Sequence, residues 1–207
     1  MNNSISIFPL NLVVFPYSKI PLHIFEERYK KMIDKCLEEK TGFGIISLIK
    51  NNLSEIGSYV DITDVLNKYE NGESDIVVKG NARFKLLKAK KHPDGYLIGE
   101  VEEYTDISRE FDKNLLEELR NNFVSILKKI NFKLEEPFWE NYNSLELKSY
   151  KIAEKSGLTL EQQQEFLVLQ KENERIDFLL KHLEELEKKL KENIVTGAII
   201  MGDGYLN

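Results

Sequence analysis

Cysteine is nearly absent from this chain, since Cys36 is the only one among 207 residues. A single thiol excludes an internal disulfide and a cysteine-based metal cluster, because such clusters need several thiolates at set spacings. Cys36 also falls on the apolar side of a predicted helix, where cysteine usually acts as a small buried hydrophobic residue. We therefore interpret Cys36 as a core thiol rather than a nucleophile.

Long hydrophobic runs and an excess of positive charge are also missing. No apolar run approaches the roughly 20 residues that span a bilayer, and the run Leu12–Phe15 has no basic segment before it, as a signal peptide would. The net charge is −6, which disfavours nucleic acid because phosphate binding depends on Lys and Arg. We expect a cytoplasmic protein with neither membrane nor nucleic acid as a partner.

The signatures of common catalytic sites are missing as well. No glycine is followed by lysine, which excludes a phosphate-binding P-loop, and there is no G-x-S-x-G elbow for a serine nucleophile. His23, His92 and His182 lack ligands at metal-binding spacing, so we interpret them as structural or solvated. We predict no cofactor, no metal, no Ser–Lys peptidase dyad and no enzymatic activity.

The composition that remains is that of a folded protein, with 42% hydrophobic and 31% charged residues. The first hundred residues read as about six short strands, beginning with Ser4–Leu10 and including a hairpin at Asn71–Gly72. Pro93-Asp94-Gly95 predicts a second tight turn. Strands joined by such turns favour a closed or nearly closed sheet.

One helix interrupts these strands, predicted over residues 25–39 from the helical spacing of its apolar residues. Gly42 lies just beyond it, where a left-handed helix cap would suit glycine. Between strand and helix, Pro9, Pro16 and Pro21 predict a rigid loop or edge over Asn11–Pro21.

The second half is predicted to be helical. Leucine and isoleucine recur at helical spacing from Leu115 to Ile130 and again over Asn173–Lys191, and Thr159 with Gln162 forms a capping-box pattern. Trp139 lies where we expect the chain to turn between helices. We predict a sheet unit over 1–108, a helical unit over 109–192, and an apolar tail, 193–207, that folds back on its own domain or pairs with a second copy.

An ordered set of motifs over Ile5–Leu190 resembles the N-terminal substrate-recognition domain of Lon proteases. The sheet half carries most of them, and Gln164 with Arg175-Ile176 carries the resemblance in the helical half. Tyr17 departs from the pattern, since the family often has glycine after Phe-Pro. The motifs of the sheet half are Phe8-Pro9-Leu10, Phe15-Pro16, Pro21-Leu22-His23-Ile24-Phe25-Glu26, Tyr29, Phe43-Gly44, Gly57 with Ile62, and Gly80 with Arg83-Phe84.

The resemblance implies an α+β fold, a PUA-like β pseudo-barrel followed by a helical bundle. It also implies a non-catalytic, polypeptide-binding role, with unfolded or partly folded chains as partners. In Lon proteases an ATPase and a Ser–Lys peptidase follow this region, so an adaptor in protein quality control that works with a separate ATPase or protease is the expected function. A homo-oligomer through the tail or the helices is a further expectation.

The stiff apolar loop is the expected contact surface for an extended peptide, because a rigid loop loses little entropy on binding. The residues assigned to peptide binding are Phe15, Pro16, Tyr17, Ile20 and Pro21. Phe15, Tyr17 and Ile20 suit the core equally well, and Phe8, Leu10, Val13 and Phe25 are expected to fill the barrel. Two alternative functions stay open, a residual Lon-family peptidase and an RNA-binding PUA-like module.

Overall fold

A computed structural model describes residues 4–191, which divide into two compact units between Thr105 and Asp106. Strands make up most of the first unit, and helices make up the second, which confirms the predicted α+β class. The strands are β1 (Ser4–Leu10), β2 (Lys19–Ile24), β3 (Phe43–Ile49), β4 (Asn52–Leu53), β5 (Ile56–Lys68), β6 (Ser74–Lys91) and β7 (Leu97–Glu103). The helices are α1 (Glu27–Glu39), α2 (Lys113–Lys129), α3 (Glu136–Ser144), α4 (Lys148–Ala153), α5 (Leu160–Val168) and α6 (Glu172–Lys191).

The sheet of the first unit closes on itself. β1 pairs with β7, β7 with β6, β6 with β5 and β5 with β3, all antiparallel, and β3 returns to β1 in a parallel pair that matches Ile7 with Gly44. Closure pairs these five strands on both sides within the ring, which removes unpaired edges there as templates for aggregation. The predicted barrel is therefore formed by ring closure of strands that are distant in sequence.

Phe84 sits at the centre of the barrel core, which also contains Ile5, Ile7, Ile46 and Val101. Its ring fits because two strands carry glycine opposite it. A Cβ added at Gly44 would lie 2.8 Å from Phe84 Cζ, and one at Gly57 would lie 2.6 Å from the same atom. Larger residues at either position would displace the ring, so these glycines fix how closely the strands approach.

Helix α1 covers the outer surface of the barrel with its apolar stripe of Tyr29, Met32, Ile33 and Cys36, all buried. The Tyr29 ring stacks on Phe8 with the centroids 3.9 Å apart. The left-handed cap at its end is Lys40, with φ +53°, and not Gly42. Gly42 is needed instead for close packing, because a Cβ there would lie 2.1 Å from the Val60 carbonyl oxygen.

The expectation that Phe25 fills the barrel is wrong. The helix begins at Glu27, two residues later than predicted, and Phe25 precedes it with 59% of its surface exposed. Phe8 and Val13 are buried as expected, and Leu10 is half-buried against the cluster under α1. Periodicity alone placed Phe25 in the stripe because it lies four residues before Tyr29.

Strand β6 is a single strand of 18 residues, where the sequence pattern predicts two strands, Ser74–Val78 and Gly80–Lys88. Its first part pairs with β2 from Ser74 to Lys79, and its last part pairs with β7 from Phe84 to Lys91. The two predicted turns are confirmed, with Gly72 at φ +80° and Gly95 at φ +97°. Both need glycine or a similar residue because positive φ strains other side chains.

The helical unit contains a helix that the periodicity did not indicate, because Phe138, Trp139 and Tyr142 lie in α3 and not in a turn. Pro137 stands at its first turn, where the missing N–H costs nothing. The Thr159–Gln162 capping box of α5 is confirmed in both directions. The rings of Phe123, Phe138 and Trp139 meet at centroid distances of 5.1 to 6.4 Å, an aromatic part of the core of this unit.

The predicted tail, 193–207, lies outside the described residues. None of the helices in residues 4–191 combines the length and the apolar character that crossing a bilayer requires.

Candidate polypeptide-binding face

The connection between β1 and β2 is rigid because hydroxyls and backbone groups of the sheet hold it. Ser47 Oγ donates to the Leu12 carbonyl at 3.0 Å, and Ser58 Oγ donates to the Val14 carbonyl at 2.5 Å. The Gly80 carbonyl accepts from the Tyr17 N–H at 2.8 Å. A Cβ on Gly80 would lie 2.2 Å from the Phe15 carbonyl oxygen, so only glycine lets the loop approach so closely. The stiffness predicted from proline thus has a second source in these bonds.

The five residues assigned to peptide binding divide into two groups. Phe15 is 4% exposed, Ile20 is 2% exposed and Pro16 is buried, so these three fill the core of the first unit. Tyr17 is half-buried and Pro21 is exposed. The binding role of the five stays a prediction. In this conformation only Tyr17 and Pro21 of the five have surface that a partner can reach.

Pro21 lies on a three-stranded ribbon of β2, β6 and β5 whose two faces differ. Ile20, Ile24, Ile76 and Val78 point to the core under α1. The alternate residues face outwards, and the register sets Pro21 opposite Val77, and Asp75 opposite both His23 and Asn67. We call this outer surface, with Phe25 and Tyr69 at its end, the aromatic face: Pro21, His23, Phe25, Asn67, Tyr69, Asp75 and Val77.

The aromatic face is exposed and carries large rings. Phe25 is 59% exposed and Tyr69 is 46% exposed. The imidazole of His23 stands between them, stacked on Phe25 at 6.0 Å and edge-on to Tyr69 at 6.0 Å. Exposed aromatic surface of this kind is typical of protein interaction sites.

Asp75 holds the side chains of Tyr69 and His23 in place. Its carboxylate accepts from Tyr69 Oη at 2.7 Å and from Asn67 Nδ2 at 2.9 Å, and lies 2.7 Å from His23 Nδ1. These hydrogen bonds, with that from Tyr69 the largest cause, lower the pKa of Asp75 to about 2. The same bond raises the pKa of Tyr69. Asp75 is therefore an anion that holds side chains of β2, β5 and the turn after β5 in one arrangement.

Helix α1 holds the hairpin that supplies Tyr69 and Asp75. Lys30 Nζ donates to the Asn71 carbonyl at 2.8 Å and to Glu27 Oε1 at 2.8 Å. The long stem of Lys30 also passes Gly72, whose hypothetical Cβ would lie 3.7 Å from Lys30 Cδ. The aromatic face is thereby tied to the body of the first unit.

Most of the aromatic face was missed by sequence reasoning. His23 was interpreted as structural or solvated, and Phe25 was assigned to the barrel. One signal was available, because Pro21, His23 and Phe25 are spaced by two residues and so share one side of an extended chain. Tyr69 and Asp75 could not be found this way, since they reach the same surface only through strand pairing.

Cys36 is buried, as predicted for a core thiol, and burial raises the pKa of its thiol. It lines a cleft of about 530 Å³ together with Lys35, Glu39, Tyr59 and Asn81. Within residues 4–191 no three His, Cys, Asp or Glu side chains come together as metal ligands would.

Two S-x-x-K spacings do occur, at Ser47–Lys50 and Ser125–Lys128, although the sequence was expected to lack a Ser–Lys dyad. The Ser47 hydroxyl is 3% exposed and donates to the Leu12 carbonyl, which is a structural role. Ser125 and Lys128 are exposed on α2. A catalytic serine instead needs a lysine base within hydrogen-bond reach in a pocket.

The lysines of β6 do not form a continuous basic groove. The register of β6 and β7 sets Lys85 opposite Glu102 and Lys88 opposite Glu100. Opposite charges on neighbouring strands offset each other, so this arrangement gives no support to the RNA-binding alternative.

The closed sheet, the helical unit and the exposed face together define a domain of the Lon N-terminal type. The family model described as the ATP-dependent protease La (LON) substrate-binding domain matches residues 4–185, and the chain belongs to this family. The resemblance found in the sequence motifs is thereby confirmed.

Solved structures share the fold. A Lon N-terminal domain protein from Xanthomonas campestris superposes with a TM-score of 0.68 at 22% identity, covering 86% of this chain and 97% of that one. The N-terminal domain of the Lon protease of Mycobacterium avium complex superposes with a TM-score of 0.67 at 20% identity, covering 88% of this chain and 98% of that one. The matching family model describes a substrate-binding domain rather than a catalytic one.

Proposed function

We propose that this chain binds unfolded or partly folded polypeptide without cleaving it, and that the aromatic face is its contact surface. The observation that carries the proposal is the exposure of Phe25 and Tyr69, with Tyr69 hydrogen-bonded to Asp75 and Phe25 stacked on His23. The apolar residues in the core of a native protein become exposed only when that protein unfolds. An exposed aromatic surface therefore finds apolar segments to bind on unfolded chains and few on native ones. Membership of a substrate-binding family supports the same role.

We further propose that the protein acts in the cytoplasm as an adaptor in protein quality control, and that a separate ATPase or protease receives what it binds. The reason is chemical. The residues described offer a surface for holding other polypeptides, and the proposed role assigns the chemistry for cutting them to a partner.

Fluorescence anisotropy with a labelled, permanently unfolded protein such as casein tests the binding. We expect saturable binding to the unfolded protein and none to a native globular protein of similar size. Phe25→Ala should weaken binding about fivefold or more, because an exposed aromatic anchor contributes roughly 1 kcal/mol or more at an interface.

Leu87→Ala is the matched control, because Leu87 is 47% exposed and lies on β6 outside the aromatic face. Its affinity should match that of the wild type. Equal losses in both variants would show that the aromatic face is not the contact surface, and absence of binding to either protein would remove the proposed function.

A further inference from the structure

The aromatic face carries negative charge at its hairpin end. The Asp75 carboxylate accepts from the phenol of Tyr69 and the amide of Asn67, two neutral donors that orient its charge without cancelling it, and it also lies 2.7 Å from His23 Nδ1. A second carboxylate contacts the other nitrogen of the His23 ring, since Glu73 Oε2 is 3.4 Å from His23 Nε2. Asp64, opposite Val77 in the register, adds a third on the same surface.

Two neighbouring cations of α1 are already paired with other acids. Arg28 Nη2 lies 2.7 Å from Glu26 Oε2, and Lys30 Nζ lies 2.8 Å from Glu27 Oε1. At the opposite end of the ribbon the register brings Lys19 and Lys79 together, with Asp61 beside Lys79. Charge is thus closer to balance at that end, and the excess of carboxylates is confined to the end that carries the rings.

We propose that the segment bound by the aromatic face is an apolar stretch of polypeptide that contains a lysine or arginine, with the cation lying against the exposed rings of Phe25 and Tyr69 and attracted by the carboxylates of Asp75 and Glu73. Aromatic faces attract cations through the charge distribution of the ring, and carboxylates do so directly. This inference rests on the proposed function and adds a chemical preference to it.

The test uses three fluorescent peptides with one extended apolar sequence and arginine, glutamine or glutamate at its centre. Anisotropy titrations of the full chain should give an affinity for the arginine peptide about fivefold above that for the glutamine peptide, with the glutamate peptide weakest. The preference should shrink as NaCl rises from about 0.05 M to about 0.5 M, because salt screens exposed charges.

Glu73→Gln isolates the charge from the rings. We expect this variant to lose most of the preference for arginine and to bind the glutamine peptide as the wild type does. Glu38→Gln is the matched control, because it removes the same charge from an exposed position near the C-terminal end of α1. Its preference should equal that of the wild type.

The outcomes separate the inference from the proposed function. Equal binding of all three peptides would overturn the cation preference and leave polypeptide binding intact. Equal loss of preference in both variants would assign it to the net charge of the molecule and overturn the role of Glu73. Failure of every peptide to bind, together with failure to bind unfolded casein, would overturn both.

Discussion

Tyr17 shows how a single residue can depart from a family pattern while the backbone keeps its shape. It stands where the Lon family often has glycine, and its φ is +72°. Positive φ costs a residue with a Cβ about 1 kcal/mol or more. The conformation persists because the Tyr17 N–H bonds to the Gly80 carbonyl and the Gly80 N–H bonds to the Ser18 carbonyl. The left-handed turn is therefore imposed by the sheet and not by glycine.

Arg175 is the most deeply buried charge of the helical unit. It is 0% exposed, and its guanidinium lies 2.8 Å from Asp106 Oδ1 and 2.8 Å from Glu172 Oε2. Its Nη1 also donates to the Leu169 carbonyl, and Glu172 accepts from the hydroxyl of Ser149 at 2.7 Å. One cation thus joins the start of the unit to α4 and α6.

Arg175→Met should lower the free energy of unfolding of the helical unit by about 3–5 kcal/mol, because it leaves the buried Glu172 carboxylate without its cation and Asp106 with the longer contact to Arg109, 3.9 Å away. Urea unfolding followed by Trp139 fluorescence measures this, since Trp139 is the only tryptophan and lies on α3. Lys171→Met, which removes an exposed cation paired with Glu174, is the control and should have a much smaller effect. Similar losses in both variants would contradict the structural role of Arg175.

At the scale of elements, α1 holds two hairpin turns through adjacent lysines. Lys30 donates to the Asn71 carbonyl in the turn between β5 and β6, and Lys31 lies 3.2 Å from Asp94 in the turn between β6 and β7. Both turns contain a glycine with positive φ. The helix therefore acts as a brace for the parts of the sheet that project from the barrel.

Lys30→Met should accelerate amide hydrogen exchange in residues 69–74 and leave residues 92–96 unchanged, because only the first turn loses its tether. Lys31→Met is its reciprocal control and should affect the second turn alone. Exchange monitored by mass spectrometry distinguishes the two. Faster exchange throughout the first unit in either variant would show that the lysine stabilises the whole unit and does not act as a local tether.

Local patterns predicted the elements well, and long-range pairing explains what they missed. The bounds of β1 and both glycine turns follow from alternation and turn chemistry, which depend on neighbouring residues. The aromatic face depends on His23 meeting Asp75, which is 52 positions away. That contact follows from the register of β2 on β6, and a single sequence contains no local signal for it. The continuity of β6 was missed for the same reason, because Gly80 looks like a break until the loop that packs on it is known.

For the whole molecule, the two units should respond differently to acid. Burial lowers the pKa of His182, whose Nε2 lies 2.8 Å from the Ser156 carbonyl oxygen, although the charge of Glu185 opposes this. A lowered pKa means that the unfolded chain binds the proton more readily. His182 therefore stabilises the helical unit above the ordinary pKa of 6.5, and this contribution is lost as the pH falls below it.

Asp75 is an acid whereas His182 is a base, but its contribution to stability is also lost as the pH falls, at a lower pH. Its pKa is lowered from 3.8 to about 2, so its contribution to the stability of the first unit is complete above pH 3.8 and is lost as the pH falls towards 2.

For His182, we expect the stability reported by Trp139 to decline between pH 7 and pH 5 in the wild type. His182→Gln should flatten that decline, and an unchanged slope would rule out His182 as its source.

Pro21, the one proline within β2, disfavours backbone pairing between this strand and a bound polypeptide. The Gly80 N–H bonds to the Ser18 carbonyl, so Ile20, Leu22 and Ile24 direct their backbone groups to β6, and Pro21 turns its nitrogen away from the sheet. Because that nitrogen carries no hydrogen, an incoming chain finds no regular row of donors along β2. On the proposed function, we therefore expect a bound polypeptide to be held through its side chains, and its release to need no separation of paired strands.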